Sequence, residues 1–393
     1  MTAESAERPG GPGRILKILR WVAFAACFAL FVRALTGADL TAAWGRIRAL
    51  GPLAIVVVVP FPFALALDAW AWKGLLAAID RSAPWLVLFK VRIATEAITN
   101  SAPAGALWAD AISPILVSRR TGIGSEDVFA ASTAKRWTVV RMHGAYVALA
   151  AAFGSAGLLH ASRALIGSDA LLLIVLGAAL ALVLLSIGIE ALAARGQIAG
   201  RLSARLGKAR FVRLKIWIEA RRHHFARADV QLARLSKDTG AGVTAAWRML
   251  GLWIIEGFET YLILRLLGCH LSLIEVMSFD AALSVVRSSA MFAPAGIGVQ
   301  DVGYLAMLEA YGVADAASLG PAFIVLKRMK EAFWVAIGFI LLARTGPGHV
   351  IAEAKAEADA EARADAEAAA ATVAAELAAE SAQSAAHEPP AST

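Results

Sequence analysis

Ala102-Pro103-Ala104-Gly105 recurs as Ala293-Pro294-Ala295-Gly296, and the residues around the two copies recur in step. Asp110 and Asp301 each stand seven positions beyond the proline. Thr121-Gly122-Ile123 is echoed by Tyr311-Gly312-Val313, and Lys135-Arg136 by Lys327-Arg328. All four matches fall 190–192 residues apart. A single tetrapeptide pair arises by chance in an alanine-rich chain, but four matches in order at nearly one offset mark a duplication. Each copy divides two apolar arms, Trp85–Asn100 from Ala106–Val117 and Leu271–Phe292 from Val299–Tyr311. Proline removes a backbone donor and glycine loosens the chain, so the helix breaks there. Most arms are shorter than the ~20 residues that cross a bilayer. They predict re-entrant hairpins over 85–117 and 271–311, which dip in and return on one side.

The rest of the chain supplies the membrane. Of its 393 residues, 59% are hydrophobic and 18% charged, with a mean hydropathy of +0.64. That is too apolar for one water-facing core. It excludes a plain soluble enzyme, a disordered regulator and a disulfide-stapled secreted domain. Cys27 and Cys269 lie in or beside apolar runs and suggest neither a disulfide framework nor a metal knuckle. Full crossings are read at about 18–36, 51–72, 125–160, 168–192, 246–268 and 316–343. The expected fold is an all-α polytopic membrane protein: six transmembrane helices plus two Pro/Gly-broken hairpins. Three crossings separate the hairpins, an odd number, so the hairpins enter from opposite faces. That is an inverted-topology repeat, a plan of secondary transporters whose broken segments surround a central site.

Charge sets the orientation. Residues 193–240 carry twelve Arg/Lys against three acids, so this loop is expected in the cytoplasm by the positive-inside rule. Arg14, Lys17 and Arg20 place the amino terminus, 1–17, on the same side. Six crossings then bring both ends to the cytoplasm, in a bacterial inner membrane. Arg46 and Arg48 fall on the wrong side of this scheme. The membrane halves are 18–192 and 246–345, and an Ala/Glu-rich tail of net charge −7 occupies 351–393. Leu202, Leu206, Leu214 and Ile218 lie among the loop's charges. They fit either a surface helix on anionic headgroups or a linker whose charges only fix topology. The loop has no nucleic-acid-binding motif, so no nucleic-acid partner is expected.

Charges inside apolar segments ask for a reason, because each costs about 2.5–3.5 kcal/mol at mid-bilayer on insertion scales. Asp68 sits late in the second crossing. Arg92 and Glu96 are four apart, and Glu256 and Glu259 three apart, so each pair shares a helix face. Lys135, Arg136, Arg141 and His143 enter one helix, and Lys327, Arg328, Lys330 and Glu331 sit mid-helix in another. Arg287 precedes the second break. Any one of these can be a packing pair. The matched Asp and Lys-Arg positions of the two halves point instead to a polar cavity whose cations hold an anionic headgroup. Asp110, Asp301, Glu256 or Glu259 would neutralise those cations when it is empty, or carry a proton. No G-x-x-x-x-G-K-[ST], H-E-x-x-H or G-x-S-x-G motif occurs. His223-His224 reads as loop surface rather than a metal site. No catalytic residue, metal or cofactor is expected.

Asn100, Pro103 and Gly105 followed by Arg119-Arg120-Thr121-Gly122, then Pro294, Gly296-Ile297-Gly298 and Asp301, with Arg136 and Arg328 opening the helix after each hairpin, resemble one known family. It is the transmembrane region of lysylphosphatidylglycerol synthases and its stand-alone flippase-like relatives. The resemblance covers about residues 15–345. Ala106-Leu107-Trp108-Ala109-Asp110 departs from the family's acidic-arginine pair after the first break, and Asp301 stands where glutamate is usual. These departures hint at a divergent branch, one associated with hopanoid-synthesis loci. The resemblance implies that a membrane lipid is moved between leaflets. Asn100, Pro103, Gly105, Asp110, Arg136, Pro294, Gly296, Gly298, Asp301, Lys327 and Arg328 would contact it, with Glu96, Glu256 and Glu259 as coupling carboxylates. Only the acidic tail follows the membrane region, so synthase activity is not implied. Two rivals remain open: a membrane-embedded enzyme acting on an isoprenoid or phospholipid, and a non-transporting assembly factor.

Overall fold

The computed structural model describes residues 39–102, 104–195, 222–289 and 297–344. The expected crossing at 18–36, the amino-terminal basic residues, the leucine-bearing part of the basic loop, the acidic tail, and Pro103, Pro294 and Gly296 lie outside the described residues. All regular elements among the described residues are helical.

Helix α1 (Leu40–Leu50) begins at Asp39, whose side chain accepts the Ala42 N–H at 2.9 Å, and runs through a 3-10 segment (Gly51–Val58) into α2 (Pro60–Ala77). Pro60 can open α2 because a first-turn N–H has no helical partner. Helices α3 (Trp85–Ser101) and α4 (Gly105–Thr121) flank the first break and pack on each other. A Cβ on Gly105 would lie 2.4 Å from the carbonyl oxygens of Ile98 and Thr99, so only glycine lets the chain turn back this closely. Helix α5 (Ser125–Phe153) is followed by α6 (Ser155–Ile166) and α7 (Ala170–Ala194). Helix α8 (Arg222–Lys237) covers the described end of the basic loop, and α9 (Thr239–Leu266) follows it, capped by Asp238. The second break lies between α10 (Leu273–Ser289) and α11 (Val299–Ala310), and α12 (Ala316–Ala343) closes the described chain. Ser272 and Glu275 cap α10 reciprocally, each bonding the other's backbone N–H.

Among the described residues, two helical stretches are long and apolar enough to cross a membrane on composition alone, Leu40–Ala77 and Ala170–Ala194. Helix α7 leaves Leu173, Ile174, Leu180, Leu184 and Leu185 exposed, a face suited to lipid. The segment read as one crossing over 125–160 is instead broken, with α5 and α6 meeting at 85° about Gly154. The helices expected at 246–268 and 316–343 form as α9 and α12. At 28 residues each they are roughly 42 Å long, ample to span. Their mid-helix charges set them apart from the apolar spans.

Within lipid, apolar contact brings little gain over lipid itself, so close backbone approach through small residues carries the packing. Helix α12 lies along α3 where Gly338 meets the Ile93 carbonyl and Ala97, and α5 lies along α7 where Gly144 meets the Ala179 carbonyl. Helix α2 packs along α9. Two cores result, one around Trp72, Leu88 and Met249, the other around Phe279, Tyr304 and Phe323. Trp253 of α9 packs against both.

Candidate functional site

An ion taken out of water carries a penalty of several kcal/mol unless charges and hydrogen bonds offset it. The buried charges here meet that demand in linked groups. In the first, Asp68 of α2 accepts from Lys135 of α5 at 2.6 Å and pairs with Arg92 of α3 at 3.0 Å. Lys135 also stands over the Trp72 ring, 4.6 Å from its centroid. Arg92 extends to Glu96 at 3.3 Å along its own helix, the pairing read from their spacing, and Asn100 donates to Glu96 at 3.1 Å.

The second group ties α9 to α12 and α11 to α12. Lys330 bonds Glu259 at 2.6 Å, both deeply buried. Arg328 donates to Glu331 at 2.6 Å and to Asp301 at 2.7 Å. Asp301 turns its other oxygen to the Gly298 N–H at 2.9 Å, capping α11. Gly298 takes φ of +84°, which a residue without Cβ adopts easily. Between α10 and α9, Arg287 approaches Glu256 at 3.6 Å.

The third group is a buried chain of hydrogen bonds. Lys327 donates to the Thr260 hydroxyl at 3.5 Å, and Thr260 donates to Asp280 at 2.9 Å. Tyr304 donates to the same Asp280 oxygen at 2.6 Å and accepts from Gln300 Nε2 at 3.1 Å.

These groups converge on a cavity of about 70 Å³. Helix α3 lends Glu96 and Asn100 to its wall, and α9 lends Trp253, Glu256 and Glu259. Helix α10 adds Asp280, Ser284 and Arg287, while α11 adds Gln300. Lys327, Lys330, Glu331 and Trp334 come from α12, and Phe61 from α2. A water needs about 10–15 Å³ on this measure, so the space admits several waters or a small polar group. Among the described residues, no group of three or more His, Cys, Asp or Glu is placed to hold a metal ion.

Of the residues read from the sequence, Glu96, Asn100, Glu256, Glu259, Arg287, Lys327, Lys330 and Glu331 line this cavity. Arg328 stands behind the wall and links Glu331 to Asp301. Gly105 and Gly298 shape the backbone at the two breaks. Asp110 and Arg136 pair at 3.2 Å but lie half-exposed, outside the wall. Asp110–Arg136 and Asp301–Arg328 join positions that recur in the sequence at nearly one offset. Gly122 and Gly312 likewise share left-handed backbone, φ +71° and +67°. The sequence reading passed over Asp280, Ser284 and Gln300. An acid seven residues before Arg287 in an apolar arm was a usable signal for Asp280. Nothing in sequence singled out Gln300.

Fold and site define a helical membrane protein with a charged cavity walled by α2, α3 and α9–α12. Residues 17–338 match the Lysylphosphatidylglycerol synthase TM region family, and the chain belongs to it. No curated protein and no solved structure matches the chain.

Proposed function

We propose that the protein moves an amphiphilic lipid between the leaflets of the bacterial inner membrane, without catalysing a reaction on it. One observation carries this reading: a membrane protein of this family holds a cavity whose wall combines α3 of the first half with α9–α12 of the second. A polar headgroup crosses hydrocarbon slowly because its charges lose their solvation. A cavity lined with paired charges replaces that solvation while the acyl chains stay in the bilayer. In this scheme α3–α4 and α10–α11 are hairpins entering from opposite faces, and α5, α7 and α9 are the three crossings between them. Helix α6, turned aside at Gly154, does not alter the count. Both termini then face the cytoplasm, and the halves open in turn to each leaflet. The departures around Asp110 and Asp301 fit a divergent branch, one associated with hopanoid synthesis.

The test is leaflet exchange in proteoliposomes carrying a headgroup-labelled phosphatidylglycerol, read by quenching from outside. Protein-dependent exchange that is lost in Lys330→Met is expected. Exchange no faster than in empty vesicles would contradict the reading, as would a change in lipid mass on incubation.

A further inference from the structure

The equivalent lysines of the two halves differ in their partners. Lys135 bonds Asp68 directly, whereas no carboxylate among the described residues lies within 4.0 Å of Lys327, although it is 6% exposed. Its contacts are the Thr260 hydroxyl and the faces of Tyr304 and Phe323, with centroids at 5.2 and 5.8 Å. Cation–π contacts contribute about 0.5–2 kcal/mol, less than the desolvation penalty of an ammonium. The other cations of the wall are engaged, Lys330 with Glu259 and Arg287 with Glu256. Lys327 therefore faces the cavity with capacity for an anion.

A second feature is independent of that one. Gln300 is 2% exposed and lines the cavity, and its Oε1 has no hydrogen-bond partner among the described residues. The orientation of its amide is fixed by its neighbour. Tyr304 spends its hydroxyl hydrogen on Asp280, so its oxygen can only accept, and Gln300 must present Nε2 to it. Among the described residues Oε1 is left as an acceptor without a donor, a costly state for a buried amide.

We infer that Lys327 and Gln300 form a headgroup seat for a lipid that carries both an anionic oxygen and an N–H or O–H donor. The anionic oxygen bonds Lys327 Nζ, and the donor bonds Gln300 Oε1. Phosphatidylethanolamine and phosphatidylglycerol meet both conditions. Phosphatidylcholine has the phosphate but no donor, and an uncharged polyol lipid has donors but no anion. The inference deepens the translocator reading, and rests on it for the ligand being a membrane lipid.

Native mass spectrometry of the full chain in detergent, titrated with dioleoyl forms of the three phospholipids, tests it. Phosphatidylethanolamine and phosphatidylglycerol should bind at least tenfold tighter than phosphatidylcholine. Lys327→Met should weaken all three at least tenfold, and Gln300→Leu should bring the first two to the level of phosphatidylcholine. Equal binding of the three by the unaltered protein overturns the seat without recourse to any variant, and so does undiminished binding by a folded Lys327→Met. Selective binding without leaflet exchange would uphold the seat and remove the translocator. Exchange together with unselective binding would do the reverse.

Discussion

Arg328 and Asp301 are joined at 2.7 Å across α12 and α11, and the same carboxylate caps α11 through the Gly298 N–H. One side chain thus fixes both the break in the second half and the helix that bears Lys327, Lys330 and Glu331. Its counterpart, Asp110 with Arg136, has the same place in the duplication but is half-exposed, at 43% and 50% of side-chain area. Exposed pairs contribute at most about 1 kcal/mol, while removing one partner of a buried pair costs about 3–5 kcal/mol. Asp301→Ala should therefore lower the thermal unfolding midpoint in detergent far more than Asp110→Ala. Equal shifts would show that the two pairs hold the fold alike.

The two lysines offer a sharper contrast. Lys135→Met leaves Asp68 facing Arg92 alone and removes a 2.6 Å buried bond, so a loss of stability of several kcal/mol is expected. Lys327→Met removes a buried cation that no carboxylate touches among the described residues, and methionine fills similar space. That change should leave the unfolding midpoint unchanged or raise it. A large destabilisation by Lys327→Met would show that the protein itself already offsets this charge.

Gly338 tests the packing that brings the halves together. A Cβ there would lie 2.6 Å from the Ile93 carbonyl and 2.7 Å from Ala97 Cβ. Gly338→Val should push α12 from α3, at a cost of about 1–3 kcal/mol. It should also slow leaflet exchange, because Glu96 and Asn100 ride on α3 while Lys330 and Glu331 ride on α12. Thermal unfolding and exchange measured on one preparation check both parts.

The helical membrane class was legible because hydropathy and helix breakers act locally. Pro, Gly, Asp and Lys-Arg recur in the sequence at nearly one offset, and an Asp–Arg pair forms at each of the two equivalent places. The break at Gly154 was not legible. A glycine in an alanine-rich run reads as tolerated helix, and its reason is tertiary: a Cβ there would lie 2.2 Å from Ser278 Cβ on α10. The cavity was half legible. Charges in apolar helices announced Glu96, Glu256, Glu259, Arg287, Lys327, Lys330 and Glu331, but a neutral amide such as Gln300 leaves no trace in hydropathy. The unlike surroundings of Lys135 and Lys327 depend on Asp68, far away in sequence and outside the repeated pattern.

Alternate opening of the cavity is tested most directly at Ser284, which lines it and bonds His143 at 2.7 Å. With Cys27 and Cys269 replaced by alanine, Ser284→Cys can be probed with a membrane-impermeant maleimide in right-side-out and inside-out vesicles. Labelling from both faces is expected. Labelling from one face alone, with the same rate whether or not lipid is exchanged, would contradict a cavity that serves both leaflets.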